Sequence, residues 1–381
     1  MPSSRRRFMQ ILGGSAVVLA VTGTGFVMTR EPIEARVPWR EAGRYPDPMR
    51  RALSWAVLAP NPHNRQPWVV DLISDTEAVL YCDMDRRLPA TDPYDRQITI
   101  GLGCFLEIFR QAAAEDGYSA QIDVFPEGEP QPRLDQRPVA HLSLTAGGEA
   151  DPLFAHILDR RTNRENYDIE RDVPETALAA MQTATGDNLT TGFIGAGERR
   201  DALRVLCEQA SRIEQMTPAT WQESLDLMRI GRRQTETNPD GIAITGAMME
   251  VLQMTGIMTA ETMADPNHRA FSESLSMQES WSQTAMAFFW IRTEGNFRTE
   301  QIDAGSAYLR AALSATRDGL AMQPMSQSLQ EYPEMAELYC DVHEQLAPDG
   351  GTVQMLARLG YARPVSQAPR WPLETRLRSV V

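Results

Sequence analysis

The chain of 381 residues contains no lysine: all 37 of its basic residues are arginine. That absence removes Schiff-base chemistry, a pyridoxal-phosphate anchor and the lysine of a phosphate-binding P-loop. Any anion site must be built from guanidinium groups, backbone N–H groups and hydroxyls. Cysteine is scarce too. Cys82, Cys104, Cys207 and Cys340 are far apart with no C-x-x-C pair, which argues against a zinc ribbon or finger. They read as buried thiols behaving as small hydrophobes, with one disulfide left open if the protein is exported. His63, His141, His156, His268 and His343 show neither H-x-x-x-H nor H-E-x-x-H spacing, so no metal is expected. Blocks of positive charge are missing as well: the net charge is −14, and nucleic acid is excluded as a partner class. The acidic surface serves solubility.

What is present suffices for a large core. With 42% apolar residues, the chain reads as two domains or one doubled domain. Its first residues read as an address. Ser4-Arg5-Arg6-Arg7-Phe8-Met9-Gln10 resembles a twin-arginine export signal, and Ile11 to Thr29 follow without charge, diluted by Gly13, Gly14, Gly23 and Gly25. A spanning helix needs about 20 mostly apolar residues, so this run is marginal. No clean A-x-A cleavage site follows. Residues 1–30 are therefore expected to be a signal or a retained anchor, which places the protein in the periplasm or tethered to the inner membrane. The twin-arginine translocase becomes a partner during export. That route carries folded proteins, often with a cofactor inside.

Local patterns then outline two halves. Asp47-Pro48 starts a helix with buried positions Met49, Ala52, Leu53, Ala56 and Val57. Trp68 to Ile73 and Val79 to Cys82 read as a hairpin, and Asp95 to Asp116 as a long helix stopped by Gly117. Strands at Gln121–Phe125 and Val139–Thr145 follow. The second half echoes the first: Asp151-Pro152-Leu153 repeats Asp47-Pro48-Met49, Gln301 to Gly305 repeats Gln97 to Gly101, and Asp318-Gly319 repeats Asp116-Gly117. The expected domains are residues 31–150 and 151–381, the latter with a helical, Met-rich insertion at about 214–292. That insertion reads either as a flexibly packed core or as a lid.

Two short segments carry the chemistry. Ala59 to Trp68 (APNPHNRQPW) is a turn stiffened by Pro60, Pro62 and Pro67, with the amides of Asn61, Asn64 and Gln66 between them. Read alone, it is a rigid connector into a core strand. Arg160-Arg161-Thr162-Asn163-Arg164 sets three forked donors and a hydroxyl within five residues, a pattern that can hold a phosphate. Read alone, it can equally pair with Asp159, Glu165 and Asp168.

Together, in this order, the segments resemble the nitroreductase family of flavoproteins. The resemblance covers most of residues 45–375 and extends to Leu359-Gly360-Tyr361-Ala362 and Pro369-Arg370-Trp371-Pro372-Leu373 near the C-terminus. It implies an α+β fold, with FMN held between two subunits. One subunit gives an arginine-rich phosphate loop, and the other gives a turn beside the ring. The implied cofactor residues are Arg160, Arg161, Thr162, Arg164, Pro60, Asn61, Pro62, Asn64, Gln66 and Arg370. Here turn and loop lie in one chain and their reciprocal counterparts are missing. The resemblance therefore implies a fused pseudo-dimer keeping one of two sites, similar to the mycobacterial Acg-like branch.

Two functions follow from the resemblance. One is an exported FMN oxidoreductase passing two electrons to a small nitro- or quinone-like acceptor, supplied by a quinol or a protein donor because export separates it from NAD(P)H. The other is a non-catalytic flavin-storage protein with its cofactor under a lid. No side chain is singled out as catalytic.

Overall fold

The computed structural model describes residues 30–378, and the segment read as an export signal lies outside them up to residue 29. After a short helix α1 (Val37–Glu41), the Asp47 carboxylate accepts from the Arg50 N–H at 2.8 Å and caps α2 (Pro48–Ala56), with Pro48 in the first turn. Strands β1 (Trp68–Leu72) and β2 (Glu77–Cys82) form an antiparallel hairpin. Helix α3 (Arg96–Glu115) leads to β3 (Tyr118–Val124) and β4 (Ala140–Ala146), which returns beside β2.

The second half repeats this connectivity. Helix α4 (Glu175–Thr185) precedes β5 (Thr190–Ile194), which pairs antiparallel with β8 (Ala287–Thr293). Then come α11 (Arg298–Arg317), β9 (Ala321–Pro324) and β10 (Thr352–Gly360), with α12 (Ala336–Leu346) between the last two strands. The strand order β1-β2-β4-β3 in one sheet becomes β5-β8-β10-β9 in the other, every neighbouring pair antiparallel. The architecture is α+β.

The halves differ in one connection. A turn at 73–76 joins β1 to β2, whereas residues 195–286 separate β5 from β8. That long excursion begins with α5 (Glu198–Met216). It continues through α6 (Pro218–Asp226), β6 (Met228–Ile230), α7 (Gly231–Thr237), β7 (Ile242–Ile244) and α8 (Ala247–Met254), then α9 (Ala260–Ala264) and α10 (Arg269–Gln283). Trp221, Leu225, Ile230, Met263, Ala270 and Phe271 give part of it a core of its own. The expected insertion at 214–292 starts inside α5 and overruns β8, a central strand. Met286, Phe288 and Phe289 made the sequence look continuous with the Met-rich segment, yet they are core of the second sheet.

The halves meet along α3 and α11. A Cβ added to Gly103 would stand 2.2 Å from the Ile302 carbonyl oxygen, and one added to Gly305 would stand 2.1 Å from that of Ile100. Only glycine permits this reciprocal backbone approach. Gly103 and Gly305 are 202 positions apart, as are Ile100 and Ile302, the helix starts Arg96 and Arg298, and the terminal pairs Asp116-Gly117 and Asp318-Gly319. The matching of Gln97–Gly101 with Gln301–Gly305 is thus displaced by two residues, because it followed side-chain similarity while backbone contact sets the register. The two starting arginines, each buried, also reach across. Arg96 donates to the Leu329 and Gln354 carbonyls at 2.7 Å each, and Arg298 to those of Tyr94 and Pro132 at 2.8 Å each.

After β10 the chain crosses back. The Arg370 N–H donates to the Ala35 carbonyl at 2.8 Å, and β11 (Leu377–Arg378) adds to β1 in parallel. Among the described residues, no helix is long and apolar enough to cross a membrane. All four cysteines are free, and only Cys340 is exposed.

Candidate functional site

The turn after α2 is strained and heavily braced. His63, Asn64 and Gln66 have φ of 48°, 52° and 52°, a region that costs a non-glycine residue about 1 kcal/mol or more. Asn61 Oδ1 accepts from the Gln66 N–H at 2.7 Å, and Asn61 Nδ2 donates to the Ala59 carbonyl at 3.1 Å. Gln66 is fully buried; its Nε2 donates to the Pro239 carbonyl at 2.8 Å, and its Oε1 accepts from the Trp371 N–H at 2.9 Å. Asn64 Nδ2 donates to the Pro369 carbonyl at 3.1 Å, and its Oδ1 accepts from Arg370. The amides thus tie the turn to the C-terminal segment and to residues 239–241. Pro62 and Asn61 pack so closely on Gly101 of α3 that a Cβ there would meet Asn61 at 3.0 Å and Pro62 at 3.2 Å.

Against this turn stand arginines that form no ion pair with a carboxylate, Asp159 acting on Arg161 only from a distance. Arg160 is 4% exposed beside Cys104 and Tyr308, and its guanidinium has no hydrogen-bond or ion-pair partner among the described residues. Arg161 donates only to the carbonyls of Leu158 and Arg160, at 2.7 Å each. Arg370, 2% exposed, donates to the carbonyls of Leu58, Ala59 and Pro369 and to Asn64. The Trp39 ring lies 5.1 Å from the Arg161 guanidinium and 5.5 Å from that of Arg370, linking the two. The Nε atoms of Arg161 and Arg370 are buried without partners. Burial, then repulsion from Arg160 and Arg161, pushes the Arg370 pKa down to about 9; burial and Arg160 push Arg161 down to about 10. A guanidinium stays cationic in any working range. The shifts therefore register stored positive potential rather than titration.

Thr162 lies in the same loop, bridged to Met322 at the start of β9, and the neighbouring Asn163 N–H donates to the Met322 carbonyl at 3.0 Å. Asn163 itself is a brace, its Nδ2 donating to the Arg363 carbonyl at 2.8 Å.

Arg164 stands apart from the other three. Its guanidinium lies 5.8 Å from the Trp281 ring, and its titratable neighbours are Glu214, His63 and Arg358. The side chain is exposed, and the protein packed near it lowers its pKa by desolvation. Burial, then Arg164 and Arg65, pushes the His63 pKa down to about 3, so its imidazole is neutral. Burial pushes the Glu214 carboxyl up to about 7. Arg358, fully buried, is satisfied by Gln323 Oε1 and the carbonyls of Trp281 and Glu165, each at 2.8 Å. The five-residue motif thus serves two places rather than one. Sequence reasoning did not reach Trp39, Glu214, Trp281 or Arg358 as site residues. Only Arg358 carried a signal, as an arginine inside the apolar strand Val353–Gly360.

The excursion between β5 and β8 covers this region. Glu223 accepts from the Ala90 and Thr91 N–H groups at 3.0 Å each and from the Thr91 hydroxyl at 2.6 Å. Asp240 receives Arg86 at 2.7 Å, Arg229 at 3.1 Å and Arg65 at 3.6 Å. His63 Nε2 and the Ser224 hydroxyl are 3.3 Å apart. The excursion therefore lies over the turn and is tied down at Ala90–Thr91, Arg65 and Arg86.

A phosphate-bearing cofactor suits these residues. Three guanidiniums converge without a carboxylate in an ion pair, the Nε atoms of Arg161 and Arg370 lack acceptors, and Trp39 and Trp281 supply aromatic walls. A surface recess of about 490 Å³ elsewhere makes the contrast: its Arg110 and Arg310 are already paired, at 2.6 Å and 2.9 Å, with Glu107.

No family model matches the chain. Over 90% of its length it is 26% identical to a putative NAD(P)H nitroreductase of Mycobacterium tuberculosis H37Rv, Rv3131, covering 97% of that protein. It is 39% identical to the putative NAD(P)H nitroreductase acg of the same organism over 151 residues, which are 39% of this chain and 44% of acg. Among solved structures, the FMN-dependent nitroreductase NfnB of Mycobacterium smegmatis in complex with NADPH aligns with a TM-score of 0.35 and 18% identity, over 57% of this chain and 93% of NfnB. A putative nitroreductase of Anabaena variabilis aligns with a TM-score of 0.36 and 12% identity, over 95% of this chain and 100% of that one.

Proposed function

We propose that this chain is an FMN-binding oxidoreductase of the nitroreductase type, a fused pseudo-dimer whose two halves keep one cofactor site between them. One observation carries the reading: Arg160 and Arg370, both buried, and Arg161, half-buried, are brought together without a carboxylate in an ion pair, Asp159 acting on Arg161 only from a distance. The curated relatives named as putative nitroreductases, one matched over nearly its whole length, support it from outside the site.

Arg160, Arg161 and Arg370, with Thr162 beside them, would hold the FMN phosphate through forked, charge-assisted donors. Arg164, with the turn at Pro60, Asn61 and Pro62, would flank the ring. Bound flavin supplies two-electron chemistry toward a nitro- or quinone-like acceptor. The chain's own residues orient and insulate. Asn64 and Gln66 set the turn and hold Arg370 and Trp371 against it. Arg164 places positive charge beside the turn, and His63, held neutral, adds none. The latched lid excludes water, which strengthens every such interaction.

The N-terminal segment favours export, and with it a quinol or a protein as electron donor; the curated relatives are named for NAD(P)H. Each donor is tested by supplying it. The latch also favours a second reading, a flavin-holding protein, because Glu223 and Asp240 close the cover without a ligand's help.

The test is the absorption spectrum of the full chain purified after cytoplasmic expression. Flavin bands near one equivalent per chain are expected. A colourless chain that also ignores added FMN overturns the assignment. Turnover of a nitro compound or quinone with NADPH or a quinol selects the enzyme. Bound flavin that dithionite reduces, but that no donor and acceptor cycle, selects the holder.

A further inference from the structure

One face of the lid differs from the rest of the surface. From Ile242 to Ala260 the sequence holds a single ionisable residue, Glu250, in a chain that is 23% charged. Glu250 is buried: its carboxylate accepts from the Arg232 N–H and lies 3.9 Å from the Arg30 guanidinium. Facing outward are Met248, Val251, Met254 and Ile257, exposed by 43%, 42%, 75% and 40%. The bend after α8, closed by the Ile257 and Met258 N–H groups on the Leu252 carbonyl, keeps Ile257 with the helix. A cluster of exposed apolar side chains with no outward charge marks a contact surface.

The Arg30–Glu250 pair indicates what that surface meets. Arg30 is the first described residue, so the chain enters the fold beside α8. Directly before it in sequence stands the uncharged run Ile11 to Thr29, with no spacer.

We propose that the outward face of α8 and its following bend docks on the lipid surface of the membrane in which the Ile11–Thr29 segment is retained. The proposal rests on that segment serving as a tether rather than a cleaved signal. A helix lying in the interface buries its apolar side to the depth of the headgroups and keeps cationic groups at phosphate level. Met248, Val251, Met254 and Ile257 supply the first, and Arg30 lies at the edge for the second. Flexible methionines suit a surface without fixed shape. The remaining acidic surface stays in water. Docked this way, the lid would sit where lipid-soluble quinols reside, which gives the cover a role in admitting them.

The experiment uses the full chain with Cys340→Ser, reconstituted in phosphatidylcholine vesicles. An environment-sensitive fluorophore is placed by Met254→Cys, or by Gln121→Cys on β3 as a control. The expected result is that the chain floats with the vesicles and that brominated lipid quenches the probe at position 254 at least twofold, leaving position 121 unchanged. A chain that floats with a water-like, unquenched probe at 254 overturns docking while leaving the tether. A probe at 254 that is blue-shifted but unquenched means protein covers the face, either a second copy or the chain's own N-terminal run, and also overturns it. A chain that does not float removes the tether and the proposal together. Flavin content is read in parallel, so none of these outcomes is confused with failure of the cofactor assignment.

Discussion

Two groups of three arginines gather around one turn. Arg65, Arg86 and Arg229 surround Asp240, and their charge is partly answered within the fold. Arg160, Arg161 and Arg370 form no ion pair with a carboxylate and repel one another, with Asp159 offsetting only part of the repulsion at Arg161. The first group closes on a shared carboxylate and ties the excursion down, although Arg229 Nε stays unpartnered. The second has no such carboxylate, which is why an anion is the proposed occupant. An uncompensated cluster of buried charge is evidence for a ligand, whereas a compensated one of the same size is evidence for architecture.

The contrast is broken most severely by Arg160→Ala with Arg161→Ala. A hydrogen bond to a charged group contributes about 1.5–3 kcal/mol, so FMN affinity should fall on the order of 100- to 1000-fold. Flavin fluorescence titration measures it, and circular dichroism verifies the fold. An affinity within threefold of the parent would mean the cluster serves another purpose.

The latch is expected to respond in stability rather than affinity. Asp240→Ala leaves three guanidiniums without their shared partner and should cost about 3 kcal/mol in urea unfolding, with faster proteolysis between residues 217 and 283. Unchanged proteolysis there would separate Asp240 from lid closure.

Arg160→Met tests the opposite sign. Exchanging a buried, partnerless cation for an apolar side chain of similar length should raise the stability of the flavin-free chain by about 1–2 kcal/mol while weakening FMN. If the flavin-free protein is destabilised instead, Arg160 is a structural residue.

The smallest effect comes from His63, on which Arg65 of the first group and Arg164, outside both groups, act. Its pKa falls from 6.5 unfolded to about 3 folded. Between those values the unfolded chain binds the extra proton, so stability present above pH 6.5 is lost as pH falls toward 3. From pH 7 to pH 5 the loss should be about 1–2 kcal/mol, and His63→Asn should flatten that slope in thermal unfolding.

Much of the fold was legible locally. Asp47-Pro48 marked α2, Gly117 marked the end of α3, and the first hairpin matched its strand pattern, because caps and turns depend on near neighbours. The repeat was visible but displaced by two residues: its register is set by Gly103 and Gly305 meeting backbone on the other helix, contacts about 200 residues apart in sequence. The insertion's end was misread because apolar residues in a lid and in a central strand look alike. In the site, the prolines and the arginine motif stood out. The amides did not reveal their use as braces, since their partners are carbonyls at positions 239 and 369.

The sequence alone determined the chemistry available: with no lysine and thirty-seven arginines, any anion must be held by forked donors, and a proline-stiffened turn must present a fixed edge. Only the tertiary structure decided which arginines meet a carboxylate within the fold and which do not. Charge compensation depends on distances of a few ångströms between residues far apart in the chain. Composition counts carboxylates and guanidiniums; folding decides which of them meet.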